Sequence, residues 1–253
     1  MGFRQKNVVK NIANAIFPVK CRGCGETGGY LCERCKKYIS ENMQGRNALC
    51  LETSNSSDAL IMGEARGLFK KVEFLGFRDE ILGELIEECK YGPARGLVPE
   101  IAEVVFRGYF MGGEQVILVP MPTSRKHVRE RGFDHMDLIA KYIENESAGL
   151  IRRIRLLERA KDTVQVGATG KVRRIQAKEA VKLNAKYYNS EGQINSEFRG
   201  VKVVLFDDVW TTGASIVEAG KLLKKAGIDS LSALTITKNR ARKSPVIRHG
   251  EID

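Results

Sequence analysis

No stretch of this 253-residue sequence approaches the roughly 18 to 20 uninterrupted apolar residues that cross a bilayer, so membrane insertion is not expected. The first twenty residues, MGFRQKNVVKNIANAIFPVK, are basic and only weakly apolar, interrupted by Lys10, Asn11 and Asn14. They lack the continuous apolar core of a signal peptide, and a cytoplasmic location is therefore expected. No Gly-x4-Gly-Lys-Ser/Thr run occurs, which excludes a P-loop ATP-driven motor. No internal repeat is visible, and aromatic residues make up only 7% of the chain. Few of them lie near the basic clusters: Phe133, Tyr187, Tyr188 and Trp210 are the candidates for stacking on a base, each equally suited to core or hinge.

What is present is enough apolar residue for a buried core, 43% of the chain, which argues against wholesale disorder. The length suits one medium domain with a small accessory module, or two modest domains. Lys and Arg number 42 against 31 Asp and Glu, a formal charge of +11. That excess can mark an anionic partner, nucleic acid or a phosphorylated metabolite, or only a bias towards solubility. Its distribution along the chain has to decide.

Four of the six cysteines fall in one short segment, Cys21-x2-Cys24-x7-Cys32-x2-Cys35. In a cytosolic chain two such pairs read as zinc ligands rather than disulfides. Each turn can place two thiolates on adjacent corners of a tetrahedron, which gives a closed structural Zn²⁺ site with no position left open for chemistry. Gly23 and Gly25 suit the turn about Cys24, and Gly28-Gly29 the reversal between the pairs. Cys89 shares an apolar helical face with Ile81, Leu82, Leu85 and Ile86 and reads as a buried structural thiol. Cys50 has no recognisable partner.

Beyond this module (1–40), residues 41–67 are polar and turn-rich and read as a linker, followed by a domain over 68–238 and a basic, flexible tail at 239–253. Within the domain, strand-like runs at 70–77, 116–119, 203–206 and 230–237 alternate with helical patterns at 79–90, 97–110, 134–146 and 214–226. Such alternation predicts an α/β fold with a parallel sheet covered by helices on both faces.

The most informative segment is Val203-Val-Leu-Phe-Asp207-Asp208-Val-Trp-Thr211-Thr212-Gly213-Ala214-Ser215. An apolar strand ends in two acids, and a Thr-Thr-Gly turn opens a helix. Ligands bind at the C-terminal ends of parallel strands. The first turn of a helix offers unpaired N–H groups and a partial positive charge, a seat for phosphate. Gly213 permits close backbone approach, and Thr211, Thr212 and Ser215 add hydroxyls. Carboxylates beside a phosphate need something else to bind, a sugar diol or hydrated Mg²⁺. Phosphate at one end and diol at the other describe a ribose 5-phosphate.

This segment resembles the phosphoribosyl-diphosphate motif of type I phosphoribosyltransferases, which implies that fold for the domain. The resemblance makes Asp207 and Asp208 the ribose or Mg²⁺ contacts and Thr211, Thr212, Gly213, Ala214 and Ser215 the phosphate loop. The cysteine-rich N-terminus, Lys90-Tyr91-Gly92, Val119-Pro120-Met121-Pro122 and Arg129-x-Arg131-Gly132-Phe133 further resemble the ComF/GntX family of phosphoribosyltransferase-like competence proteins, as does the Arg159…Gln165…Arg173 spacing. Asp134-His135 stand where that family usually has Asn-Gln, Gln176 replaces a usual Asn and Val181 a usual Phe. The resemblance implies a role in DNA uptake, with single-stranded DNA, a separate DNA helicase and other transformation proteins as partners. The zinc module would be a docking surface for them. An active Mg²⁺-dependent phosphoribosyltransferase acting on a nucleobase or amine is the alternative.

Residues 151–178 carry nine basic side chains against two acidic ones, with Gly167 and Gly170 among them, and read as a mobile cationic loop. Arg152, Arg153, Arg155, Arg159, Arg173 and Arg174 belong to it. Arg125, Lys126, Arg129 and Arg131 form a second cluster. Both can serve the diphosphate of a small ligand or follow a single-stranded backbone. His127 and His135 read as surface residues, and no general base is assignable.

Overall fold

The computed structural model describes residues 19–43, 56–91, 95–160 and 181–239. Five strands form one parallel sheet: β1 (Val72–Phe77), β2 (Val116–Pro120), β3 (Ile151–Arg153), β6 (Val203–Trp210) and β7 (Leu231–Lys238), in the order β1-β7-β6-β2-β3. Two short strands, β4 (Leu157–Arg159) and β5 (Val181–Leu183), make a separate antiparallel pair. They flank residues 161–180, so Arg173, Arg174 and most of the expected cationic loop lie outside the described residues, as do Cys50 and the tail beyond 239.

The central strands are apolar at consecutive positions because both faces of the sheet are covered. On one face Leu118, Val204 and Phe206 meet α3 (Ile81–Tyr91), α4 (Leu97–Val105) and α6 (His135–Glu146) through Leu85, Ile101 and Ile139. On the other face Ile117, Val119, Val203 and Leu205 meet α2 (Ser56–Leu68) and α7 (Ala214–Lys225) through Met62, Ala65, Val217 and Leu223. Each such aliphatic side chain, buried from water, stabilises the fold by about 1.5–3 kcal/mol. The expected α/β class and parallel sheet are the ones observed.

Three helices have no counterpart in the sequence reading. All but the last residue of α2 falls in the segment 41–67 expected as a linker, yet its Ile61, Met62 and Ala65 are core residues. α1 (Glu33–Asn42) grows directly out of the cysteine turns. α5 (Arg125–Arg131) starts at Ser124, whose hydroxyl accepts from the His127 N–H at 3.2 Å, and stops at Gly132 in the left-handed conformation, φ +78°. The expected helix 97–110 is present but widens after Val105 into one π-helical turn, Phe106–Phe110.

The cysteine module shares the main core. Leu31, Ile39 and Met43 pack with α3 and α4. The buried Lys36 ammonium reaches Glu33, Glu100 and Glu103 at 3.0, 2.6 and 2.7 Å, and Arg22 makes a two-pronged bond to Glu88 at 2.7 and 2.6 Å. Gly23 has no room for a side chain, since a Cβ there would lie 2.5 Å from Cys35 Sγ.

Candidate functional site

After β2 the chain turns one way, through α5 and α6 to β3. After β6 it turns the other way, through α7 to β7. The gap between the C-terminal ends of β2 and β6 is thus the switch point of the sheet, where open α/β folds bind ligands. A cleft of about 210 Å³ lies there, lined by Met121–Ser124 after β2, by Asp207, Asp208 and Ser215 after β6, and by Lys90, Tyr91, His127, Arg131, His135, Met136 and Arg159. A larger cavity of about 330 Å³ opens at the opposite end, near the strand starts at Val116, Val204 and Ser232 and against the π turn. It holds none of the residues selected from sequence.

β6 runs further than its apolar stretch predicts. Phe206 is its last residue paired with β2, but pairing with β7 continues through Asp207, opposite Thr235, to Trp210, opposite Lys238. The acids therefore sit on a rigid strand beyond the end of β2. Because side chains alternate, the two carboxylates leave opposite faces of the strand. Asp208 lies on the face of Phe206 and α3. There its Oδ2 accepts from Lys90 Nζ at 2.9 Å and from His135 Nε2 at 2.7 Å. Arg131 Nη1 stands 3.2 Å from His135 Nδ1. A guanidinium can only donate, so the hydrogen-bond network assigns the His135 proton to Nε2, where it points at Asp208.

These contacts separate the two acids electrostatically. Burial opposes ionisation of Asp208, but the His135 hydrogen bond and the Lys90 charge overcome it and hold its carboxyl below the usual range. Asp207 Oδ1 accepts from the Asp208 N–H at 2.9 Å, and the Lys90 and Arg159 charges also favour its anion, but these are outweighed. Burial, together with the neighbouring Asp208 charge, pushes its carboxyl up to about 7. One carboxyl is thus held as the anion, and the other is driven towards its neutral form.

The turn that follows is set by packing. Gly213 has φ +81°, and a Cβ there would lie 2.2 Å from Cζ2 of the fully buried Trp210. That ring alone requires glycine at this position. Thr212 Oγ1 accepts from the Ala214 N–H at 3.4 Å. Of the expected phosphate loop, Ser215 lines the cleft with the acids, Thr211 is exposed and Gly213 is buried.

The basic residues divide. Arg131 and Arg159 line the cleft. Arg153 and Arg155 converge on Asp137 of α6, Arg153 Nη1 at 2.5 Å and Arg155 Nε at 2.6 Å. Burial disfavours the Asp137 charge, yet the bonds from Arg155 and Arg153 keep it ionised. Arg152 is exposed on the edge strand β3, and Arg125, Lys126 and Arg129 are exposed on α5.

One expectation is corrected. His135 is not a surface residue: it is 3% exposed and bonded to Asp208. The Asp134-His135 departure from the family pattern is therefore structural, with Asp134 capping α6 through the Asp137 N–H at 3.2 Å while His135 reaches the acid pair. Lys90 was noted only as part of a motif, and the structure places it at the site. The aromatic candidates do not line the cleft. Trp210 and Tyr188 are buried, and Tyr187 packs edge-on against Phe198.

The four cysteine Sγ atoms of the module lie within 4.8 Å of one another. Tetrahedral zinc with Zn–S bonds of about 2.3 Å requires sulfurs about 3.8 Å apart. The Cys24–Cys32 pair, at 3.6 Å, already meets that spacing. The N–H groups of Gly23 and Cys32 point at Cys21 Sγ at 3.4 and 3.3 Å, as in thiolate sites, and against its burial bring that thiol down to about 6. Cys35 is pushed up by burial and by its neighbouring sulfurs, so a full set of thiolates needs a cation. The cluster suits structural Zn²⁺.

The helix-covered parallel sheet, the cleft at its switch point and the four-cysteine module alongside are the features that the sequence resemblance to ComF-type phosphoribosyltransferase-like proteins implies. Two curated competence proteins are similar to the chain in sequence. Competence protein ComFC of Bacillus subtilis is 27% identical over 124 residues, 49% of this chain and 45% of that protein. Competence protein F of Haemophilus influenzae is 29% identical over 115 residues, 45% of this chain and 46% of that protein. The matched region thus spans about half the length of these relatives. No family model matches the chain. Among solved structures, hypoxanthine phosphoribosyltransferases from Staphylococcus aureus and Trypanosoma cruzi are similar at 13% and 11% identity, each with a TM-score of 0.32. The alignments cover 72% of this chain and 74% of the first, and 59% of this chain and 70% of the second.

Proposed function

We propose that this protein is a cytoplasmic accessory factor of DNA uptake whose cleft binds a phosphoribosyl or nucleotide ligand and whose basic surface holds single-stranded DNA. The observation that carries the reading is the convergence of Asp207, Asp208 and Ser215 in one cleft at the switch point. The two competence relatives supply the process. Phosphate would sit on the amides opening α7, and a ribose diol would meet the acid pair. Mg²⁺ would accompany a diphosphate, with Asp207 and Asp208 as the carboxylate donors lining the same cleft. Arg152, Arg125, Lys126 and Arg129 are exposed and are the cations proposed for a DNA backbone, Lys126 lying 3.9 Å from Glu130; Arg153 and Arg155 bond to Asp137. A helicase and other transformation proteins would supply the motor. The outward side of the cysteine module is the surface proposed for them.

Salt-titrated binding of a labelled single strand tests the DNA half. Affinity should fall steeply with salt, and Arg152→Ala and Arg129→Ala should each flatten that dependence by about one phosphate contact. No measurable binding at low salt would remove it.

A second reading, a true phosphoribosyltransferase, is supported by the same convergence of the acid pair and Ser215 in one cleft. Diphosphate release in the presence of a panel of bases decides between them. Turnover abolished by Asp207→Asn supports the enzyme, and ligand binding without turnover supports the binding protein.

A further inference from the structure

Tyr91 is 75% exposed, ends α3, and stands on the wall of the cleft. Its ring is not loose. The Arg131 guanidinium lies over it, 5.5 Å from the centroid, and Arg131 is itself held on His135 Nδ1. The ring is therefore braced by a cation–π contact while most of its surface faces solvent.

Its place relative to the acids is fixed by neighbours. Lys90, the preceding residue, is bonded to Asp208, and Arg131 reaches Asp208 through His135. Tyr91 and Arg131 thus flank the diol end of the cleft, while Ser215 of α7 marks the phosphate end. The cleft, about 210 Å³, is smaller than the roughly 300–1,000 Å³ of sites that enclose a whole drug-sized ligand. A cleft of that size suits the ribose and phosphate of a nucleotide and leaves a planar base to lie outside it, on the wall that Tyr91 lines.

We infer that Tyr91, braced by Arg131, is a stacking platform for the base of a ribonucleoside 5′-monophosphate whose ribose and phosphate occupy the cleft. The inference rests on the phosphoribosyl reading of the site and extends it to the part of the ligand outside the acids and the phosphate turn. A planar base has the π-face that such a ring recognises, and stacking tolerates any of the four bases.

Calorimetric titrations of ribose 5-phosphate, AMP and UMP into wild type, Tyr91→Ala and Tyr91→Phe test it. Wild type should bind either nucleotide about tenfold tighter than ribose 5-phosphate, the lower part of the range that base–aromatic stacking gives. Tyr91→Ala should erase that advantage and leave ribose 5-phosphate unchanged, and Tyr91→Phe should retain it. Because the side chain is exposed, both variants should melt with wild type. Ribose 5-phosphate that binds as tightly as the nucleotides, or a Tyr91→Ala loss equal for all three ligands, overturns the platform but leaves the phosphoribosyl site standing. Absence of binding by all three at millimolar concentration overturns both.

Discussion

Gly213→Ala separates a glycine kept for ligand approach from one demanded by packing. Two penalties act on the folded state before any ligand binds. The backbone at φ +81° is one that an L-residue occupies at a cost of about 1–2 kcal/mol. The new methyl also arrives 2.2 Å from Trp210 Cζ2, and a ring only 2% exposed has nowhere to retreat. Overpacking of that kind costs about 1–3 kcal/mol. The sum, about 2–5 kcal/mol, is a large share of a typical stability of about 5–15 kcal/mol. For a domain of this size it lowers Tm by roughly 4–20 °C. Thermal and urea melts read this directly. The double variant Gly213→Ala/Trp210→Leu should recover the overpacking part and keep the backbone part, giving a favourable coupling of about 1–3 kcal/mol. A Gly213→Ala protein that melts with wild type, or a double variant whose losses simply add, would refute the packing argument and leave ligand approach as the reason for the glycine.

Other perturbations have outcomes of definite sign. With Zn²⁺ loaded on the four cysteines, chelation should destabilise the whole domain, because Leu31, Ile39 and Met43 belong to the main core; a melt in which only the module unfolds would contradict that. Lys90→Met leaves Asp208 with His135 as its remaining donor, and should cost about 1–3 kcal/mol in a urea melt at pH 7. The folded Asp208 carboxyl lies below its unfolded value of 3.8, so its stabilisation is present above that value and is lost in acid. Asp207 is raised to about 7, so the folded state holds the extra proton and stability from this group falls as pH rises from about 4 to 7. Asp207→Asn should flatten that fall and raise stability at pH 8, as followed by melts across the range. Arg155→Ala should lower Tm with little change in the salt slope of DNA binding, the reverse of Arg152→Ala, because Arg155 is engaged by Asp137.

The strands and the longer helices were legible because burial on both faces leaves continuous apolar runs, and burial on one face leaves a helical period. α5 was not, since RKHVRER has no apolar face and is held by Ser124 at one end and Gly132 at the other. α2 was hidden by the polar run before it and by Gly63 and Gly67 within it. The acids and the turn were found because local order carries their chemistry: strand, carboxylates, hydroxyls, glycine, helix. The donors to Asp208 were not, because Lys90 and His135 come from helices far away in sequence, and no spacing rule brings them together. His135 left one trace, its departure from the family's usual residue. The charge of 151–178 was read as one surface, and α6 divides it by presenting Asp137 to Arg153 and Arg155.

A crystal structure of the protein grown with Mg²⁺ and phosphoribosyl diphosphate bears most directly on the site. The 5-phosphate should rest on the amides that open α7 beside Ser215, with the ribose hydroxyls within hydrogen-bond distance of Asp207 or Asp208. An empty cleft at saturating ligand, or the ligand in the cavity at the other end of the sheet between Tyr109 and Lys202, would contradict the assignment of the switch point as the binding site.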